Sequence, residues 1–183
     1  MMNGVAAAAM RNAGMQVDYR VNFGVELPRL QQYAIELSVL HADRLPQLAQ
    51  SLWKESVREC RMLAILLYPP NDMLPEVADI WVDSLHGVEL VQIASLHLWS
   101  RMPQASVLSF RWIASENEIR QLAGCYTLIH LLRSTTLSER SEQELMDQLS
   151  VLLQSDNPQL RSVAQKLQQI IKPLPDLSQK GGS

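Results

Sequence analysis

Long apolar runs are missing from this chain of 183 residues: the longest reaches about six residues, at 62–67, against the roughly 20 needed to span a bilayer. No membrane span is expected. Cysteine is scarce too. Cys60 and Cys125 are the only two, too few for a disulfide scaffold, and they read as buried free thiols of a reducing compartment. Positive charge is not in excess, with a net charge of −3 and a pI near 5.8, which argues against a general nucleic-acid binder with a basic surface. There is no Gly-rich phosphate loop, no Cys-x-x-Cys pair and no Gly-x-Ser-x-Gly elbow. His41, His86, His97 and His130 show no metal-ligand spacing with one another or with the cysteines, so surface or capping roles are expected of them. The common enzymes built on those motifs have no foothold, and neither metal nor cofactor is expected. The opening MMNGVAAAAMRNAG lacks a basic n-region and a long h-region, so a cytoplasmic location is expected.

What is present is a composition of 47% hydrophobic and 19% charged residues, ordinary for a soluble globular chain. One domain is expected over residues 1–173, followed by a polar tail at 174–183, and the expected oligomeric state is a monomer. Charge is unevenly spread. Residues 71–100 hold Asp72, Glu76, Asp79, Asp83 and Glu89 with no Lys or Arg, while 101–133 hold Arg101, Arg111, Arg120 and Arg133 against Glu116 and Glu118.

Apolar residues recur at helical spacing almost throughout, as in Leu45, Leu48, Ala49, Leu52 and Trp53, and no stretch reads as a strand. The pattern predicts helices at 4–15, 27–39, 43–55, 57–68, 74–85, 88–101, 104–114, 117–133, 139–154 and 158–171. Ser56 with Glu59, Ser115 with Glu118 and Ser141 with Glu144 each fit a capping box, and Asp156 or Asn157 precedes Pro158 at a first turn.

A frame repeats inside these helices. CRMLA (60–64), IRQLA (119–123) and LRSVA (160–164) each place an arginine three residues before an alanine, and LVQIA (90–94) keeps the frame with Val91 in the arginine's place. The steps between Arg61, Val91, Arg120 and Arg161 are 30, 29 and 41 residues, which suits helix-pair repeats of the HEAT type that bury their apolar faces by stacking. The alanine permits close helix approach, and the arginine is expected to bond between neighbouring repeats.

Ahead of the repeats stand NFGVELPRLQQYA (22–34) and LPQLAQSLWKESVRECRMLAILLYP (45–69). With GVELVQIAS (87–95) and SENEIRQLAGCYTLIHLL (115–132), this order of blocks resembles the DNA alkylation repair (AlkD-like) family of HEAT-like DNA glycosylases. The resemblance implies an all-α, right-handed solenoid whose concave face holds duplex DNA and releases N3- and N7-alkylated purines without metal or cofactor. Cleaving the glycosidic bond of a cationic base builds positive charge on the sugar, so a nearby carboxylate stabilises the transition state and aromatic faces assist it.

In the family's pattern a tryptophan is followed four residues later by the catalytic aspartate. Those positions are Val88 and Gln92 here. A Trp-x-Arg-Arg segment becomes EIRQ, which keeps Arg120 but sets Glu118 and Gln121 in place of the tryptophan and the second arginine. The last repeat contains no aromatic residue. Glu89, one turn before Gln92, is the one nearby carboxylate that could substitute, although a displacement of about 4.5 Å along the helix is large for catalysis; a solvated surface glutamate is the plainer reading.

Three functions therefore stand open: a scaffold without glycosylase activity that meets DNA weakly or a protein, an active alkylpurine glycosylase, and an interaction module with no nucleic-acid role. Should DNA be the ligand, contacts are expected from Arg111 and Trp112, a basic and an aromatic residue side by side, from Arg120 and Gln121 at the segment that resembles the family's Trp-x-Arg-Arg, and from Arg161. The available cations are Arg101, Arg111, Arg120, Arg133, Arg161 and Lys166. Trp53, Trp81, Trp99 and Trp112 all sit in apolar helical patterns that read as core; Trp112, beside Arg111, is the best candidate for an exposed aromatic.

Overall fold

The computed structural model describes residues 22–172. The helix expected at 4–15 and the tail at 174–183 lie outside the described residues. Within them stand nine α-helices: α1 (Leu27–Leu40), α2 (Leu45–Lys54), α3 (Arg58–Leu67), α4 (Pro75–Asp83), α5 (Val88–His97), α6 (Ala105–Ile113), α7 (Glu118–Leu131), α8 (Glu139–Leu152) and α9 (Pro158–Ile171). No β-strand occurs among the described residues.

The odd-numbered helices form one layer. In it α1 packs on α3, α3 on α5, α5 on α7 and α7 on α9, while α2 backs α3, α6 backs α7 and α8 backs α9. This is the stacking of helix pairs expected of a HEAT-like all-α repeat fold. The frame alanines Ala64, Ala94, Ala123 and Ala164 are all fully buried, because a larger side chain at those positions would hold the layers apart. Gly124 carries the same logic further. A Cβ there would come within 2.6 Å of the Ser109 carbonyl oxygen and 2.8 Å of Ile113 Cγ1, so α6 and α7 meet at a distance only glycine permits.

The tryptophans are core residues. Trp53 stacks on Trp81 with centroids 4.0 Å apart, and Trp99 meets Trp112 edge to face at 5.0 Å. Trp112 is fully buried, as the core pattern of all four predicts, so even the best candidate for an exposed aromatic is not exposed. The helix expected at 88–101 is interrupted. Leu98 leaves helical geometry at φ −128° and ψ −68°, and a 3₁₀ turn at Trp99–Arg101 follows, sending the fully buried Trp99 inward.

None of the three serines expected to open capping boxes opens a helix. Val57 precedes α3 without a side-chain bond, because Glu59 accepts instead from the backbone N–H groups of Phe23 and Val25, both at 3.2 Å. Asn117 caps α7 by accepting from Arg120 N at 3.0 Å, while Ser115 donates back to Trp112 O at 2.8 Å and closes α6. Ser138 caps α8 by accepting from Ser141 N. Asn157, as expected, caps α9 ahead of Pro158, accepting from the N–H groups of Gln159 and Leu160. Both cysteines are free; burial pushes the Cys125 thiol up to about 12.

Candidate nucleic-acid interface

Gly87 lies extended before α5, so Val88 and Glu89 occupy its first turn and Gln92 the next. Acidic residues are favoured at such a helix start, but Glu89 has a stronger reason to be there. Arg58, at the start of α3, donates from Nε to Glu89 Oε2 at 2.8 Å and from Nη2 to Glu89 Oε1. The same guanidinium donates to Glu59 at 3.1 Å and to the Val25 carbonyl at 3.3 Å. Arg58 is only 3% exposed. Burial alone would lower its pKa, yet the hydrogen bonds and charge of Glu89, joined by Glu59, outweigh burial and raise it. Glu89 is therefore not a solvated surface glutamate: both its oxygens serve a buried guanidinium. Arg58 is the residue the sequence reading missed, since its partner lies 31 positions away.

Gln92 is exposed and donates from Nε2 to the Tyr126 hydroxyl at 3.0 Å. A neutral amide bonded to a phenol supplies no charge to oppose a developing cation. Val88, half-buried, adds only apolar surface.

The arginines expected at DNA meet acids first. Asp79 of α4 accepts from Trp112 Nε1 at 2.7 Å and from Arg111 at 2.5 Å, and Arg120 lies 3.8 Å from it. Arg120 also grips Asp83 through two hydrogen bonds of 2.6 Å each. That bonding to Arg120 holds the Asp83 carboxyl below its usual range, although partial burial works the other way. Two acids of the 71–100 stretch thus meet two arginines of the 101–133 stretch across α4, α6 and α7. Gln121 donates to the Ser115 carbonyl at 2.6 Å, and Arg161 to the Ser155 carbonyl at 2.6 Å. Both bind the loop leading into their own helix. Arg61, by contrast, reaches Ser84 O at 3.0 Å on the next pair, so the frame arginine bonds between repeats at Arg61 and Arg120 but locally at Arg161.

The odd-helix layer carries a groove. One cavity of about 330 Å³ is lined by Val88, Glu89, Gln92, Tyr126, Pro158, Gln159 and Ser162. A second, of about 260 Å³, shares Gln92 and Tyr126 and extends past His97, His130, Arg133 and Lys166. Arg133 and Lys166 are exposed and form no ion pair among the described residues. The groove's one carboxylate, Glu89, is the one held by Arg58. No group of His, Cys, Asp and Glu suited to a metal ion exists among the described residues, and no described helix is long and apolar enough to cross a membrane.

Comparison with known proteins agrees with this architecture. A solved structure from a family of proteins related to the HEAT-like repeat DNA glycosylases with affinity for branched DNA structures superposes with a TM-score of 0.77 at 17% identity, covering 93% of this chain and 70% of that one. At that identity the likeness speaks for the fold. No curated protein matches the sequence. The family model described as DNA alkylation repair enzyme matches residues 3–162, nearly the whole length of the chain, and the chain belongs to that family.

Proposed function

We propose that this protein is a DNA-binding member of the DNA alkylation repair family that does not cleave glycosidic bonds. The observation that carries the reading is the state of the groove's charges. Glycosidic cleavage of an alkylated purine needs an anion beside the sugar. Gln92 has none, and Glu89 already neutralises Arg58. Freeing Glu89 would take two hydrogen bonds from a buried guanidinium and leave it to Glu59 and the Val25 carbonyl, a weakening that buried pairs do not bear cheaply. Arg133 and Lys166, meanwhile, offer cations on the same groove with no competing acid, and backbone phosphates are the ligands such cations hold. The relative with affinity for branched DNA structures supports DNA as that ligand.

The deciding experiment pairs two measurements on the purified protein. Incubated with methylated duplex DNA, it should release no 7-methylguanine or 3-methyladenine above the spontaneous rate. In a binding assay it should hold duplex DNA weakly and without sequence preference, with Kd of about 10⁻⁴ to 10⁻⁶ M at physiological salt, and branched DNA at least as tightly. Time-dependent base release that vanished in Glu89→Gln would overturn the non-catalytic reading. Absence of DNA binding even at low salt would return the groove to a protein partner.

A further inference from the structure

The half of the groove that runs toward the ends of α5 and α7 differs from the rest in its chemistry. Its cavity, about 260 Å³, falls below the usual 300–1,000 Å³ of organic-ligand pockets. Four basic side chains line it from three directions: His97 from the end of α5, His130 and Arg133 from the end of α7 and the turn beyond, and Lys166 from the middle of α9. Leu27, Ile93, Leu96 and Ile129 supply apolar walls, Gln92 and Tyr126 supply neutral donors, and no carboxylate among the described residues lines it. The Nδ1 atom of His130 is buried and has no hydrogen-bond partner among the described residues.

We propose that His97, His130, Arg133 and Lys166 form a phosphate-binding cleft, occupied by one phosphate of the nucleic-acid backbone and completed by the two histidines as donors. The choice of source rests on the DNA reading above; the anion chemistry does not. Helix C-termini attract cations on their own account, which would explain His97, His130 and Arg133. It leaves Lys166 unexplained, since that residue stands mid-helix on α9, in the same cavity. A site that gathers cations from separate elements and admits no acid is built for an anion.

The histidines make this site sensitive to pH. Burial lowers the pKa of both; Arg101 adds to this at His97, and Arg133, Lys166 and His97 add to it at His130. Among the described residues, every charged group that shifts them is a cation, so the cleft keeps them neutral near pH 7. A bound phosphate reverses that balance, because an anion favours the imidazolium and gains a second charged donor from it. Binding then takes up protons. Affinity should rise as pH falls, by at most about tenfold per pH unit for each proton taken up.

The test uses the whole protein and two probes. Inorganic phosphate, titrated while the imidazole signals are followed by NMR, should move His97 and His130 and raise their titration midpoints, and Arg133→Gln combined with Lys166→Gln should remove the effect. Both of those side chains are exposed, so the variant should fold. Duplex DNA affinity should increase from about pH 7.5 to about pH 6, a range in which histidine is the common titrating side chain, and the increase should disappear in the same double variant. Histidine signals indifferent to phosphate, or a pH effect on DNA binding that survives the double variant, would overturn the cleft while leaving DNA binding intact. Phosphate-responsive histidines in a protein that binds no DNA would sustain the cleft as a site for free phosphate and overturn the assignment to a nucleic-acid backbone.

Discussion

Two sets of cations among the described residues stand in contrast. Along the edge formed by α4, α6 and α7, Arg111 and Arg120 face Asp79 and Asp83 at hydrogen-bonding distance, and beneath the groove Arg58 is enclosed by Glu59 and Glu89. Within the groove Arg133 and Lys166 face no acid. The difference separates what a charge does for the fold from what it offers a ligand. A cation whose donors are satisfied by carboxylates has spent its attraction on neighbouring repeats, whereas one held among neutral groups keeps a field that a phosphate can use.

The sharpest way to break this division is to remove the most enclosed charge. Arg58→Ala leaves Glu59 and Glu89 close together without their counter-ion and releases the bond to the Val25 carbonyl. A loss of about 3–5 kcal/mol is expected, as for other buried pairs deprived of one partner. Denaturant unfolding would measure it, and a loss below about 1 kcal/mol, the range of exposed pairs, would mean that Arg58 behaves as a surface residue.

Arg120→Ala should cost less. Asp83 is nearly half exposed, so solvent screening limits the pair, and about 0.5–1 kcal/mol is expected, a drop in Tm of roughly 2–4 °C per kcal/mol for a chain of this size. DNA affinity should hold steady. Arg133→Ala should do the reverse, leaving melting unchanged and weakening DNA. If Arg120→Ala instead abolished binding without touching the melting temperature, the edge and the groove would exchange roles.

The edge also has its own pH signature. Asp83 has a folded pKa below the ordinary 3.8, so its contribution is fully present above that value and is lost as pH falls through the lowered one. His97 and His130, depressed from 6.5, act in the same direction at higher pH: the unfolded chain takes up their protons first, so stability begins to decline as pH drops through about 6.5. Two separate acid steps should appear in stability against pH. Asp83→Asn should remove the lower one alone.

Much of the fold was legible because its signals are local. Apolar spacing within a helix and an alanine three residues after Arg61, Arg120 or Arg161 can be read without knowing what lies opposite, and the same residues became the buried frame. The caps failed for an equally physical reason: Ser115 and Glu59 each had two possible backbone neighbours, and tertiary contacts chose the one outside the local motif. The site was less legible still. That residues 71–100 are acidic and 101–133 basic is visible in the sequence, but that Asp79 and Asp83 meet Arg111 and Arg120 requires pairing across 32 and 37 positions. Until those arginines were accounted for, Arg133 and Lys166 were merely two more cations among six.

The smallest expected effect measures how many charges the groove commits to DNA. If all six available cations acted, log affinity would fall with log salt at a slope near −5.4, taking about −0.9 per phosphate neutralised. With Arg111 and Arg120 opposed by carboxylates and Arg101 and Arg161 outside the lining of the groove, Arg133 and Lys166 remain. Both hold the single phosphate of the cleft, so a slope of about −0.9 is expected near pH 7.5. At about pH 6 the charged histidines hold that same phosphate, so affinity should rise while the slope stays near about −0.9. Lys166→Gln should flatten that slope, by at most about 0.9, and Arg111→Gln should leave it unchanged, because its charge is already opposed by Asp79. Equal flattening by the two substitutions would show that DNA lies across the edge as well as the groove, and that the ion pairs there open to admit it.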